Sequence, residues 1–209
     1  MVETLKFRRG NLPHWLVADH TYFVTIRLIN TIPKSVVAEL EAQRTALAHL
    51  PSTALQRTNL ARQQFVRIDQ ILHAVDPSRD WLTRPGIPEI ILDNLVWLEW
   101  QRGWRINAAT VLSNHVHLLL RNHAGRSGFL LHDLGAYKAY VAAVINRCLN
   151  RQGTLWAHEG FDHWCRNDEK VRQVAYYICM NPVRAGLVND WRAWPWTRCV
   201  DWLQPVADA

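Results

Sequence analysis

The chain has little of what would replace or interrupt a hydrophobic core. Of 209 residues only 9 are glycine and 9 proline, which excludes fibrous and low-complexity chains. Its four cysteines, Cys148, Cys165, Cys179 and Cys199, form no CxxC pair of the kind that builds zinc or redox sites, so they are read as reduced thiols without a metal role. Long apolar runs are missing too. The stretch 87–100 is broken by Pro88, Glu89, Asp93 and Asn94, short of the roughly 20 residues a membrane span needs. Residues 1–10 carry Lys6, Arg8 and Arg9 with no apolar stretch behind them, which does not read as a secretory signal. A cytoplasmic protein with no membrane partner is expected.

What is present is a 49% hydrophobic composition and a net charge of +6 from 24 Lys plus Arg against 18 Asp plus Glu. That length and composition suit one domain with a core of its own, needing no disulfide staples. The positive balance permits an anionic partner without requiring one. Eleven tryptophans in a basic chain fit base stacking on single-stranded nucleic acid, but packing accounts for them equally well. Trp191, Trp194, Trp196 and Trp202 in particular read as packing of a final segment.

Periodicity supplies the elements. Residues 22–28 alternate Tyr22, Val24, Ile26 and Leu28 against Phe23, Thr25 and Arg27, the period-two pattern of a strand. Residues 35–50 have helical spacing with Ser35 as N-cap, whereas 51–64 are polar and read as a loop. Pro88 in a first turn and the apolar residues after it predict one helix over 88–103, ended by Gly103. Strands follow over 104–112 and 115–121, joined by a tight turn at Ser113 and Asn114. A helix over 132–151, an extended segment over 155–164, and a last helix from Glu169 to about Met180, capped by Asn167 and Asp168 and closed by Asn181 and Pro182, complete the chain. The order strand, helix, strand, strand, helix, strand, then extra helices is the split βαβ arrangement of an α+β, ferredoxin-like antiparallel sheet with helices on one face and extra terminal helices.

Two short patterns carry chemistry. In His115-Val116-His117 the two imidazoles project from one face of a strand, half of a divalent-metal site, although such triplets are common without a metal. Tyr177 and Asn181, four apart on the last helix, share one face and can bring a phenol and an amide to one centre; packing and capping would also account for them. Tyr176 lies about 100° round the helix with Met180 four residues on, and Tyr137 and Tyr140 on the preceding helix are further phenols.

The two patterns together resemble the HUH single-tyrosine transposases, and more closely the REP-associated tyrosine transposases, which act on repetitive extragenic palindromic sequences. The resemblance extends to RRGNLPHW at 8–15, TYFVTIRL at 21–28, LSNHVHLLL at 112–120, INR at 145–147 and YICMNPVRAGLV at 177–188, nearly the whole chain. The last string is highly specific for the group. It implies one catalytic domain over 1–209, with a basic N-terminal arm over 1–20 and a C-terminal extension over 189–209. His115, His117 and Asn181 would hold Mg²⁺ or Mn²⁺; related enzymes carry a Gln at the Asn181 position. Tyr177 would attack the scissile phosphate as a phenolate, its acidity raised by the cation charge, giving a 5′-phosphotyrosine that a 3′-hydroxyl later resolves. Arg8, Arg9 and His14 in the arm, together with Lys138 and Arg184, are the expected DNA contacts. The implied partner is single-stranded or hairpin DNA, the implied state a monomer or homodimer associated with the nucleoid. Two other readings stay open at this point: a non-catalytic nucleic-acid-binding regulator on the same fold, and a metal-dependent hydrolase without a covalent step.

Overall fold

The computed structural model describes residues 4–9, 13–17, 20–49, 53–74, 80–122, 130–158 and 161–205. Two strands, β1 (Thr4–Arg9) and β2 (Pro13–Val17), form a separate antiparallel hairpin. The expected first strand is the third in chain order, β3 (Thr21–Arg27). It is followed by helices α1 (Lys34–His49), α2 (Ala54–His73), α3 (Ile87–Asp93) and α4 (Leu95–Arg102). Next come β4 (Trp104–Val111), β5 (His115–Asn122), α5 (Leu130–Cys148), β6 (Phe161–Cys165), α6 (Asp168–Arg184) and β7 (Thr197–Cys199).

The sheet order is β6-β3-β5-β4-β7 and every pairing is antiparallel. β5 lies between β3 and β4, the two strands joined by the α1 to α4 connection, so the split βαβ topology is present. The C-terminal segment adds β7 to the free side of β4.

Side-chain alternation divides the molecule into two layers. Tyr22, Val24 and Ile26 of β3 and Val116, Leu118 and Leu120 of β5 face one core with α3, α4 and α5. Phe23 and Leu119 face the other, where Val171, Val174, Ala175 and Ile178 of α6 pack over them. A one-residue slip of β5 would exchange its two faces. The pairing Thr25 with His117 and Arg27 with His115 therefore decides that both imidazoles lie beneath α6.

Three expectations are corrected. Within the polar segment expected as a loop over 51–64, residues 54–64 form the first half of α2, and 51–52 lie outside the described residues. Thr53 accepts from the Gln56 amide at 3.2 Å while Gln56 Oε1 accepts from the Thr53 amide at 2.7 Å, a capping box that satisfies the helix start without apolar residues. The α1–α2 hairpin is held by polar ties, Gln64 Nε2 to the Leu40 carbonyl at 3.0 Å and a two-pronged Arg67–Glu39 pair, which is why its face shows little apolar periodicity. The single helix expected over 88–103 breaks at Asn94. The Asn94 carboxamide donates to the Ile90 carbonyl at 2.7 Å and competes there with the backbone amide; α4 then runs to Gly103, whose φ of 70° ends it as expected. Finally, α6 does not stop before Pro182 but continues to Arg184. Proline forgoes one helical hydrogen bond, yet Ala185 still donates to the Asn181 carbonyl at 2.9 Å and both Asn181 and Pro182 are buried.

The capping box bears on function, because α2 reaches the buried face of β5. Thr53→Ala is expected to cost about 1 kcal/mol, read as a lower urea midpoint together with faster hydrogen exchange confined to the start of α2. Unchanged exchange there would show that packing alone holds the helix.

Candidate functional site

β5 begins at His115, directly after the tight turn in which the Leu112 amide donates to the His115 carbonyl at 2.9 Å. Asn114, in that turn, fixes the first imidazole. Its Nδ2 donates to the Leu72 carbonyl of α2 at 3.0 Å, so its Oδ1 is the atom facing His115 Nδ1 at 2.7 Å. An amide oxygen only accepts, which places the hydrogen of neutral His115 on Nδ1 and leaves Nε2 as a lone pair. Thr25 Oγ1 lies 2.9 Å from His117 Nδ1 and can serve either tautomer by turning its hydroxyl. The two Nε2 atoms face each other at 3.2 Å.

A third donor arrives from α2. Asp69 Oδ1 lies 3.6 Å from His117 Nε2, and ligand atoms of Asp69, His115 and His117 all fall within 4.8 Å of one another. All three residues are buried. One carboxylate and two imidazoles whose outer nitrogens are already engaged suit a divalent cation such as Mn²⁺ or Mg²⁺, so these residues fit the metal that the sequence resemblance implies.

Tyr177 projects from α6 onto the same centre. Its ring lies 5.4 Å from that of His117 and 5.8 Å from Phe23, and its hydroxyl donates to Asp69 Oδ1 through a short hydrogen bond. The Arg184 guanidinium stands 5.2 Å over the same ring. One turn further along α6, Asn181 is fully buried, with Oδ1 3.0 Å from His73 Nε2 of α2.

Burial pushes the pKa of His115 well below the imidazole range and lowers that of His117, so both are neutral ligand donors at pH 7. For Asp69 burial acts upward, but contacts with His117, Tyr177 and His73 outweigh it and hold the carboxyl at about 2. The Tyr177 phenol moves against expectation. Burial first, then the charge of Asp69 and the hydrogen bond to it, raise its pKa far above the ordinary value. With the chain's own groups alone, Tyr177 is a protonated donor rather than a phenolate.

The expected residues thus divide. His115, His117, Tyr177, Asn181 and Arg184 gather at one centre. Lys138 does not join them: it lies on α5, whose apolar stripe packs on the opposite face of the sheet, and its Nζ donates to the Ala157 carbonyl at 3.0 Å. Arg8 and Arg9 on β1 and His14 on β2 share the hairpin, with Arg8 opposite His14; their side chains lie outside the described residues. Among the competing phenols, Tyr137 is buried and donates to the Ile91 carbonyl at 2.7 Å, while Tyr140 and Tyr176 are exposed. Of the C-terminal tryptophans, Trp191 is buried, Trp194 and Trp196 pack edge to face, and Trp202 is exposed.

Asp69 and His73 were not anticipated. Their signal was present in the run Phe65-Val66-Arg67-Ile68-Asp69-Gln70-Ile71-Leu72-His73, where Asp69 interrupts the Phe65, Ile68 and Leu72 stripe. A carboxylate inside an apolar stripe needs a buried partner.

No protein-family model and no curated protein matches the chain. Two solved structures are similar to the chain, the first of them at the level of a shared fold. One is a REP-associated tyrosine transposase bound to a REP hairpin, similar at a TM-score of 0.53 and 17% identity over 92% of this chain and 81% of that one. Another is a candidate transposase from Deinococcus radiodurans R1, at 0.41 and 14% identity, covering 81% and 92% respectively. Among the described residues no helix is long and apolar enough to cross a membrane.

Two measurements test the site. Unfolded histidine protonates near 6.5, whereas burial lowers His115 and His117 and holds His163 at about 4. Below 6.5 the unfolded chain therefore binds more protons, and stability falls as pH drops. Asp69 adds the same sign below about 4, its ordinary range. Without divalent metal, the urea midpoint is expected to be lower at pH 5 than at pH 7.5; equal midpoints would mean that the folded protein takes up those protons as readily. Separately, Asn114→Ala removes the partner that orients His115, and Mn²⁺ affinity by calorimetry is expected to fall about 10- to 100-fold. Wild-type affinity in that variant would leave Asn114 with a turn-forming role only.

Proposed function

We propose that the protein is a metal-dependent DNA strand transferase that cleaves and rejoins single-stranded DNA at REP-type hairpins through a 5′-phosphotyrosine on Tyr177. The observation that carries this reading is the convergence of one phenol, two neutral imidazoles and a carboxylate on one buried centre. The fold shared with a REP-bound transposase supports it, as does the YICMNPVRAGLV string that ends α6.

A phosphodiester resists attack because its charged oxygens repel nucleophiles, so the site must offset charge and align the incoming oxygen. A divalent cation held by His115 and His117 would supply Lewis-acid polarisation of the scissile phosphate. The residues of the chain do the rest. Asn114 and Thr25 hold the imidazole planes. Phe23 and Phe65 pack edge-on against the Tyr177 ring and restrict its direction, and Arg184 offers a cation where the attacked phosphate's negative charge would lie. The Tyr177 proton must leave as its oxygen bonds to phosphorus, and Asp69 is the acceptor already in contact. The P–O3′ bond breaks with its electron pair remaining on O3′, which takes up a proton as the free 3′-hydroxyl. Attack by another 3′-hydroxyl reverses these steps and joins strands without ATP. Such a substrate places the protein with the nucleoid in the cytoplasm.

The test is a denaturing gel of protein incubated with Mn²⁺ and a single-stranded REP hairpin oligonucleotide. Wild type is expected to give a covalent protein–DNA band that is absent in Tyr177→Phe and in unsupplemented, chelator-treated protein. An adduct in Tyr177→Phe would move the nucleophile elsewhere. Cleavage without any adduct would favour a hydrolase, and hairpin binding with neither would favour a regulator.

A further inference from the structure

Each of the two α6 residues at the centre is met by a residue of α2. Tyr177 donates to Asp69, and Asn181 Oδ1 lies 3.0 Å from His73 Nε2. Asp69 and His73 are four apart, and so are Tyr177 and Asn181. One packing arrangement of two facing helices therefore makes both contacts one turn apart, and a slip of one residue loses both. The α2 pair is also linked internally, with His73 Nδ1 3.8 Å from Asp69 Oδ2.

One atom does not fit this network. Asn181 Nδ2 is buried, faces the Tyr177 oxygen and makes no hydrogen bond of ordinary length, and an unsatisfied buried donor is costly. Amide oxygen and nitrogen have nearly the same shape, and the hydrogen-bond network decides between them. Turning the carboxamide over resolves the orphan. Nδ2 then donates to His73 Nε2, His73 carries its hydrogen on Nδ1 toward the Asp69 carboxylate, and Asn181 Oδ1 is left free to act as a ligand.

We propose that Asp69 and His73 form a clamp: Asp69, besides taking the Tyr177 proton, aims its hydroxyl, and His73 is a positioning residue that orients the Asn181 carboxamide so that its oxygen is available to the metal centre. The catalytic consequence rests on the strand-transfer reading; the contacts themselves do not. The clamp ties the nucleophile and the amide to the same pair of α2 side chains, so the geometry of both depends on how α2 is seated.

The experiment compares His73→Leu, His73→Gln, Asn181→Ala and the His73→Leu/Asn181→Ala double variant. Mn²⁺ affinity is measured by calorimetry on DNA-free protein, adduct formation by single-turnover kinetics, and folding by urea midpoint. His73→Leu is expected to weaken Mn²⁺ binding about 10- to 100-fold and to slow adduct formation at saturating DNA, with the half-saturating DNA concentration unchanged. His73→Gln, which retains an amide partner for Asn181, is expected to recover most of both. The double variant is expected to be no worse than Asn181→Ala, since His73 acts through that side chain. Wild-type Mn²⁺ affinity in His73→Leu, losses that multiply in the double variant, or a His73→Gln variant as poor as Asn181→Ala would each overturn the clamp. If His73→Leu fails to fold, the His73→Gln result decides. A wild-type protein that forms no adduct sinks the strand-transfer reading and leaves the clamp to be judged by the Mn²⁺ titrations. An adduct formed equally well by wild type and a folded His73→Leu sinks the clamp alone.

Discussion

Two imidazoles buried side by side, with their Nε2 atoms 3.2 Å apart, set the terms for everything around them. Neither can carry charge cheaply in that position, and each needs its outer nitrogen satisfied. Asn114 and Thr25 meet the second need, and the turn before β5 exists in the form it does partly because Asn114 must reach both His115 and the Leu72 carbonyl. Asp69 then stands opposite the inner nitrogens. An ionised carboxylate is stable there only because His117, Tyr177 and His73 surround it, so α2 and α6 are both required for the imidazole pair to be closed off from water.

The sheet separates support from chemistry. Its first face is a buried apolar layer under α3, α4 and α5, where Tyr137 donates to the Ile91 carbonyl and Trp104 Nε1 to Asp133 at 2.9 Å. Its second face carries the polar centre under α2 and α6. The same strand serves both, with Val116, Leu118 and Leu120 on one side and His115 and His117 on the other. A rigid strand locked into the first core gives the imidazoles a fixed platform. The carboxylate and the phenol that face their inner nitrogens come from the helices α2 and α6. This arrangement also explains why the phenol is weakly acidic in the chain alone: Tyr177 is packed by aromatic rings and faces an anion. Ionising it in a strand-transfer reaction calls for positive charge from outside the side chains already there.

Much of this was legible in order and spacing. The alternation in β3 and β5, the Ser113-Asn114 turn, Gly103 as a helix stop and Asn167 as an N-cap are local features, and local features survive without knowledge of what packs on them. The HxH triplet and the Tyr177/Asn181 pair were legible for the same reason, since strand and helix periods place each pair on one side. α2 escaped because its helix begins on a polar capping box and is held to α1 by Gln64 and by the Arg67–Glu39 pair rather than by an apolar stripe. The break at Asn94 and the continuation through Pro182 escaped because each depends on competition between backbone and side-chain partners that tertiary packing resolves.

The sequence by itself determined which side chains could share a face: the two imidazoles by the period of a strand, the phenol and the amide by the turn of a helix. The order of its elements also pointed to the split βαβ sheet, and the Ser113-Asn114 turn to the antiparallel pairing of β4 with β5. Only the tertiary structure decided that these two faces meet, and that the third wall is α2, bringing Asp69 to Tyr177 and His73 to Asn181 across more than a hundred residues of chain. Periodicity encodes the direction of a side chain relative to its own element. What lies opposite is settled by packing, where burying a charge is tolerated only if distant residues arrive to pair with it.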